Sequence, residues 1–148
     1  MLRSALARIF SFPVMLAVAL AASVYHFANR GIADPDLWWH LRNARYLLES
    51  HHFIRVDMYS FTVLGQPWMD HEWLGELPYY LAWKVWGSQG IFLLMVCLIE
   101  ATLLGTFWLA STVSGNVKAA FIASWVAVWL ATVSFGPRVL HFGWIFLV

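Results

Sequence analysis

The chain is short of charge. Asp, Glu, Lys and Arg together make up 11% of its 148 residues, against about 25% in an ordinary soluble domain. That deficit excludes an ordinary soluble enzyme and a disordered chain, both of which need a solvated polar surface. Neither sign of charge dominates: nine Lys and Arg face eight Asp and Glu. No basic face is left to track phosphates, so nucleic acid is excluded as a partner. Cysteine is nearly absent, and Cys97 alone supports neither a disulfide framework nor a cysteine-rich zinc site. Also missing are a Gly-rich phosphate loop, a dinucleotide fingerprint, internal repeats and low-complexity tracts. What is present in excess is apolar: 61% of residues are hydrophobic and 18% aromatic. This composition belongs to an integral membrane protein.

Three stretches are bare enough to span a bilayer. Residues 10–28, FSFPVMLAVALAASVYHFA, carry no charge. At about 1.5 Å per residue they just cross a hydrocarbon core of roughly 30 Å. Arg3 and Arg8 precede them and favour a cytoplasmic N-terminus. The rival reading is a signal peptide cut near Ala19-Leu20-Ala21, but apolarity continues through Phe27. Residues 90–113 form the strongest span, with Gly87 to Gly90 punctuating its start and Ser114-Gly115-Asn116 its end. Residues 119–135 form the third, closed by Gly136-Pro137-Arg138. Residues 139–148 are apolar but too short to cross. The expectation is therefore an all-α polytopic membrane module over 1–148, whose fourth span is incomplete because the chain is part of a longer one.

Residues 29–88 hold seven of the eight carboxylates, four of the six histidines and six of the ten tryptophans. With the N-terminus inside, this segment is a large outer loop. Asp34-Pro35-Asp36 reads as a helix start, with Asp34 as the cap. In the following LWWHLRNARYLLES, Leu37, Leu41, Ala44 and Leu48 form an apolar stripe, while Asp36, His40 and Asn43 form a polar line. Trp38 and Trp39 suit the membrane interface. A second helix is expected from an Asp70 cap through HEWLGELPYYLAWKVWG, kinked at Pro78. With Lys84 inside and about fifteen residues, it is read as a second interfacial helix rather than a crossing. The linker 50–69, with Gly65-Gln66-Pro67, is read as an ordered loop or short hairpin.

The chemistry-bearing residues lie mostly in this loop. Asp34 and Asp36, at the outer end of the first span, can act as bases toward an acceptor hydroxyl, or hold a divalent cation that neutralises phosphate. Helix capping alone also explains Asp34. His71-Glu72 invites a zinc reading that fails, because Gly75 stands where the second histidine would be. The pair can still line a substrate site, as can His40. Arg138 is an interfacial anchor or a phosphate contact. His51-His52 reads as solvated loop. Glu100, inside the second span, must be neutral, paired or turned toward protein, and Ala101 and Gly105 offer a small-residue face beside it.

ADPDLWWHLRNARYLLES and RVDMYSFTVLGQPWMDHEWLGELPYYLAWKVWG resemble the first outer loop of bacterial multi-span glycosyltransferases of the GT-C superfamily. They resemble, more narrowly, membrane proteins related to that superfamily's lipid-linked sugar transferases. The resemblance covers roughly residues 10–145. It implies a helical membrane fold in the bacterial inner membrane, with two juxtamembrane helices after span one. It implies transfer of a sugar from a polyprenyl-phosphate donor outside the cytoplasm, with Asp34 or Asp36 as base or metal neighbour. His40, His71, Glu72 and Arg138 would then line the substrate site. Two other classes fit the residues: a non-enzymatic membrane scaffold, and a transporter fragment using Glu100.

Overall fold

The computed structural model describes residues 10–29, 31, 32 and 34–148. Arg3 and Arg8, on which the charge argument for orientation rests, lie outside the described residues. The described residues are helical, with no strand; an isolated antiparallel bridge joins Val56 and Pro67. The helices are α1 (Phe12–Ala28), α2 (Leu37–Ser50), α3 (Trp73–Ser114), α4 (Val117–Ala131) and α5 (Leu140–Ile145), with a 3₁₀ turn at Thr132–Ser134. Two stretches, Trp73–Ser114 and Val117–Ser134, are long and apolar enough to cross a membrane. The apolar α1 has 17 residues, about 25 Å of helix. The chain forms two compact units: residues up to 31 with 95–136 and 141–148, and residues 32–94 with 137–140.

In the first unit α1 packs on α4. The buried positions of α1 are Leu20, Val24 and Ala28, and those of α4 are Ala120, Ser124 and Val128. Both sets recur every fourth residue, so each helix presents one narrow ridge, and the small Ala28, Ala120 and Ser124 permit close approach. Outside that ridge Ile122, Trp125, Val126, Trp129 and Leu130 are exposed, an apolar surface that suits lipid rather than water. Asn116 caps α4, its side-chain oxygen accepting from the Lys118 and Ala119 amides at 3.1 Å each. Gly105 lies under the Val148 side chain, and Ala101 is exposed. The small-residue face expected there is thus half covered.

In the second unit α2 occupies the expected residues. Leu37, Leu41 and Ala44 are buried, but Leu48 is exposed, so the apolar stripe stops one turn before the helix does. The linker is a short hairpin: the Asp57 amide donates to Gln66 O at 2.9 Å and the Trp68 amide to Arg55 O at 3.0 Å. The expected Pro78 kink is absent. Pro78 sits in the second turn of α3 and the backbone stays helical there; the break comes at Trp86 and Gly87, where Gly87 adopts φ 60° and ψ −142°. A side chain disfavours that conformation and glycine accepts it. The break divides α3 into a first arm, 73–85, and a second arm that starts at 88. The first arm, about 20 Å long, carries Glu76 and Lys84, whereas the second arm carries Glu100 as its one charged residue. The turn between them is tight: a Cβ on Gly90 would overlap the Ala82 carbonyl.

Gly90→Ala should therefore destabilise the protein by about 1–3 kcal/mol through overpacking against backbone. Gly143→Ala, where nothing lies within 4 Å of the added carbon, should be neutral or slightly stabilising. Thermal unfolding of the two variants in the same detergent checks the contrast, and equal melting temperatures would contradict the packing at Gly90.

Candidate functional site

The polar line of α2 and the acidic face at the start of α3 meet. His40 and Asn43 are one turn apart on α2; Glu72 immediately precedes α3, and Glu76 follows it by four residues. His40 Nδ1 lies 2.7 Å from Glu76 Oε1. The Asn43 side-chain amide donates to the same oxygen at 3.4 Å, and the Tyr59 hydroxyl donates to Asn43 Oδ1 at 2.7 Å. On its other side His40 Nε2 lies 3.6 Å from Glu72 Oε2. The His40 ring lies against that of Trp39, with centroids 3.7 Å apart and the planes tilted by 32°.

Glu76 is fully buried, with 0% exposure, and its Oε2 receives no hydrogen bond. Burial pushes its carboxyl up to about 7; the hydrogen bond from His40 opposes that rise and the nearby Asp70 carboxyl adds to it. Asp70 is itself buried, and its side chain accepts the Glu72 amide at 3.1 Å. It therefore precedes the helix as expected, although α3 begins three residues later.

Asp34 does more than begin a helix. Its Oδ1 accepts the Asp36 amide at 3.1 Å, while its Oδ2 is 2.9 Å from Arg138 Nε. Asp36, not Asp34, occupies the N-cap position of α2, and its side chain makes no capping bond. Arg138 is fixed at its backbone too: its carbonyl accepts the hydroxyl of buried Tyr79 at 3.3 Å. Burial raises the Tyr79 hydroxyl above its ordinary range.

Asp34, Asp36, His40, His71, Glu72 and Arg138 all line one cavity of about 530 Å³, together with Trp39, Trp68, Pro137, Val139 and Leu140. The sequence singled out all six, and the resemblance implied that His40, His71, Glu72 and Arg138 share a substrate site. The Trp39 and Trp68 rings meet edge to face at 5.9 Å and give the cavity an aromatic wall. His51 and His52 are exposed and away from it. Among the described residues no group of three or more His, Cys, Asp and Glu side chains is arranged to hold a metal ion, and the Asp34 carboxylate is engaged by Arg138 instead. The cavity offers carboxylates and imidazoles to hydroxyl groups, one guanidinium to an anion, and indole faces to an apolar ring surface.

Glu76, Asn43, Tyr59 and Asp70 were not among the candidate site residues, although Asn43 was placed on the polar line of α2 and Asp70 at the start of the second helix. The signal for Glu76 was its position one turn beyond Glu72, facing a polar line on α2 that needed a partner.

Because folded Glu76 holds its proton up to about pH 7, above an exposed carboxyl, the folded state binds more protons than the unfolded one across the acidic range. Stability linked to Glu76 is present at low pH and is lost as pH rises toward about 7 and beyond. Wild-type stability should fall relative to Glu76→Gln between about pH 5 and about pH 8, by on the order of 3 kcal/mol. Paired melting curves test this; a pH-independent difference would contradict it.

Compared with protein-family models, curated proteins and solved structures, the chain matches none.

Proposed function

We propose that this chain contributes the outer sugar-transfer pocket of a GT-C-like membrane glycosyltransferase that uses a polyprenyl-phosphate-linked donor. The observation that carries the reading is that six candidate polar residues line one cavity walled by two indoles. A sugar presents hydroxyls around an apolar ring face. Carboxylates accept hydrogen bonds from the former, and indoles cover the latter. Arg138, held by Asp34 at 2.9 Å and through its carbonyl by Tyr79, presents a fixed guanidinium to the donor phosphate. Asp34 on this reading keeps that guanidinium in place, and Asp36 is the exposed carboxylate that meets the sugar or acceptor. The apolar second arm of α3 and the apolar α4 suit a bilayer, where such a donor resides. A multi-pass inner-membrane location with residues 29–88 outside completes the proposal.

The test is transfer from a synthetic polyprenyl-phosphate sugar by the full-length protein in liposomes. Asp34→Asn and Asp36→Asn should each lower turnover, with about 100-fold expected where a carboxylate acts on the reacting groups. Arg138→Ala should raise KM for the donor. Turnover unchanged in all three would sink the assignment.

A further inference from the structure

Which group takes the acceptor's proton is a separate question from which groups bind sugar. Asp34 is poorly suited: its side chain is 8% exposed and both oxygens are engaged, one by Arg138 and one by the Asp36 amide. His40 is differently placed. Nδ1 points to a buried carboxyl at 2.7 Å and Nε2 stands at the Glu72 side, with both His40 and Glu72 lining the cavity. The ring is held on one face by Trp39. Glu76 has no exposure and no second hydrogen-bonded oxygen, so its charge is compensated chiefly through the oxygen it shares with His40 and Asn43.

We infer that His40 is the proton-accepting residue of the cavity and that buried Glu76 is its positioning residue. Once its carboxyl has lost its proton, above about pH 7, Glu76 accepts the Nδ1–H of His40. That bond fixes the tautomer with the lone pair on Nε2, directed to the cavity, and compensates the imidazolium once Nε2 is protonated. This is the base-and-orienter arrangement of the Ser-His-Asp triad, in which a carboxylate on Nδ1–H holds the histidine that takes a proton from a hydroxyl. The inference rests on the sugar-transfer reading for its substrate. The acceptor O–H bond breaks, its proton goes to Nε2, and its oxygen forms a bond to the sugar's anomeric carbon. The bond from that carbon to the phosphate oxygen breaks, and its electron pair leaves with the polyprenyl phosphate. The Nε2 proton then passes to that phosphate or to water. The charged groups around His40 are Glu72 and Glu76 of the α3 face, Asp70 beside Glu76, and His71, Asp34, Asp36 and Arg138 of the same cavity.

Two readouts test it. The first uses the full chain labelled with ¹⁵N-histidine in nanodiscs, with the His40 signal assigned by its loss in His40→Gln, and no sugar donor present. Measured above about pH 8, where Glu76 is charged, the expected tautomer is Nδ1–H; finding Nε2–H there overturns the inference. The second is turnover of the polyprenyl-linked sugar. His40→Gln should lower kcat by about 100-fold or more with KM little changed. Glu76→Gln, which keeps an acceptor for Nδ1–H but removes the charge, should keep the tautomer, lower kcat less, and move the acid limb of kcat/KM to lower pH. Full turnover in His40→Gln overturns the assignment. An Nδ1–H tautomer in a protein that turns over no sugar supports the His40–Glu76 pair and overturns the transferase reading, so the two failures are distinguishable.

Discussion

A carboxyl group sealed from water must find compensation within the protein, and much of the second unit is organised by that requirement at Glu76. Isolated burial of a charge costs several kcal/mol, so the residue survives only because α2 brings His40 to 2.7 Å and Asn43 to 3.4 Å. These bonds fix the rotation of α2 about its axis. They also order the hairpin linker, through the Tyr59 hydroxyl on Asn43. The apolar contacts of Leu37, Leu41 and Ala44 would hold α2 against its neighbours in several rotations. The polar contact selects one, and with it the direction in which Trp39 and His40 face.

The second fixed point is Arg138, which follows a proline and so cannot lie deep inside a helix. Its side chain meets Asp34 and its carbonyl meets Tyr79. The first arm of α3 therefore positions both halves of the cavity: Glu76 sets the histidine, and Tyr79, three residues on, sets the arginine backbone. One turn of helix carries both constraints, which is why these two residues are among the most deeply buried in the unit.

Local features of the fold were legible in sequence. The Asp-Pro-Asp start and the 3.6-residue periodicity located α2, and Ser114-Gly115-Asn116 located the join between α3 and α4, because each depends on neighbours within a few residues. Pro78 misled. A proline is disruptive deep in a helix, but in the second turn it frees only a carbonyl close to the helix start. The break instead fell at Gly87, where the backbone needs a conformation that only glycine takes freely. Leu48 misled because periodicity reports which residues could face a core, not how far the core extends. The six cavity residues were chosen for their types and, Arg138 apart, for their clustering in one outer loop. What was not legible was the pairing of Asp34 with Arg138, which tertiary structure alone brings together. Glu76 was passed over for the same reason: its partner lies 36 positions away.

The Asp34–Arg138 pair also sets an order of assembly. The acidic wall of the cavity is complete once the first arm of α3 has been synthesised, but its guanidinium is added about a hundred residues after Asp34. Until then Asp34 lacks its guanidinium partner. The lining of the cavity is complete only once the segment at 137–140 has been made, so its cation comes from a stretch far later in the chain than its carboxylates.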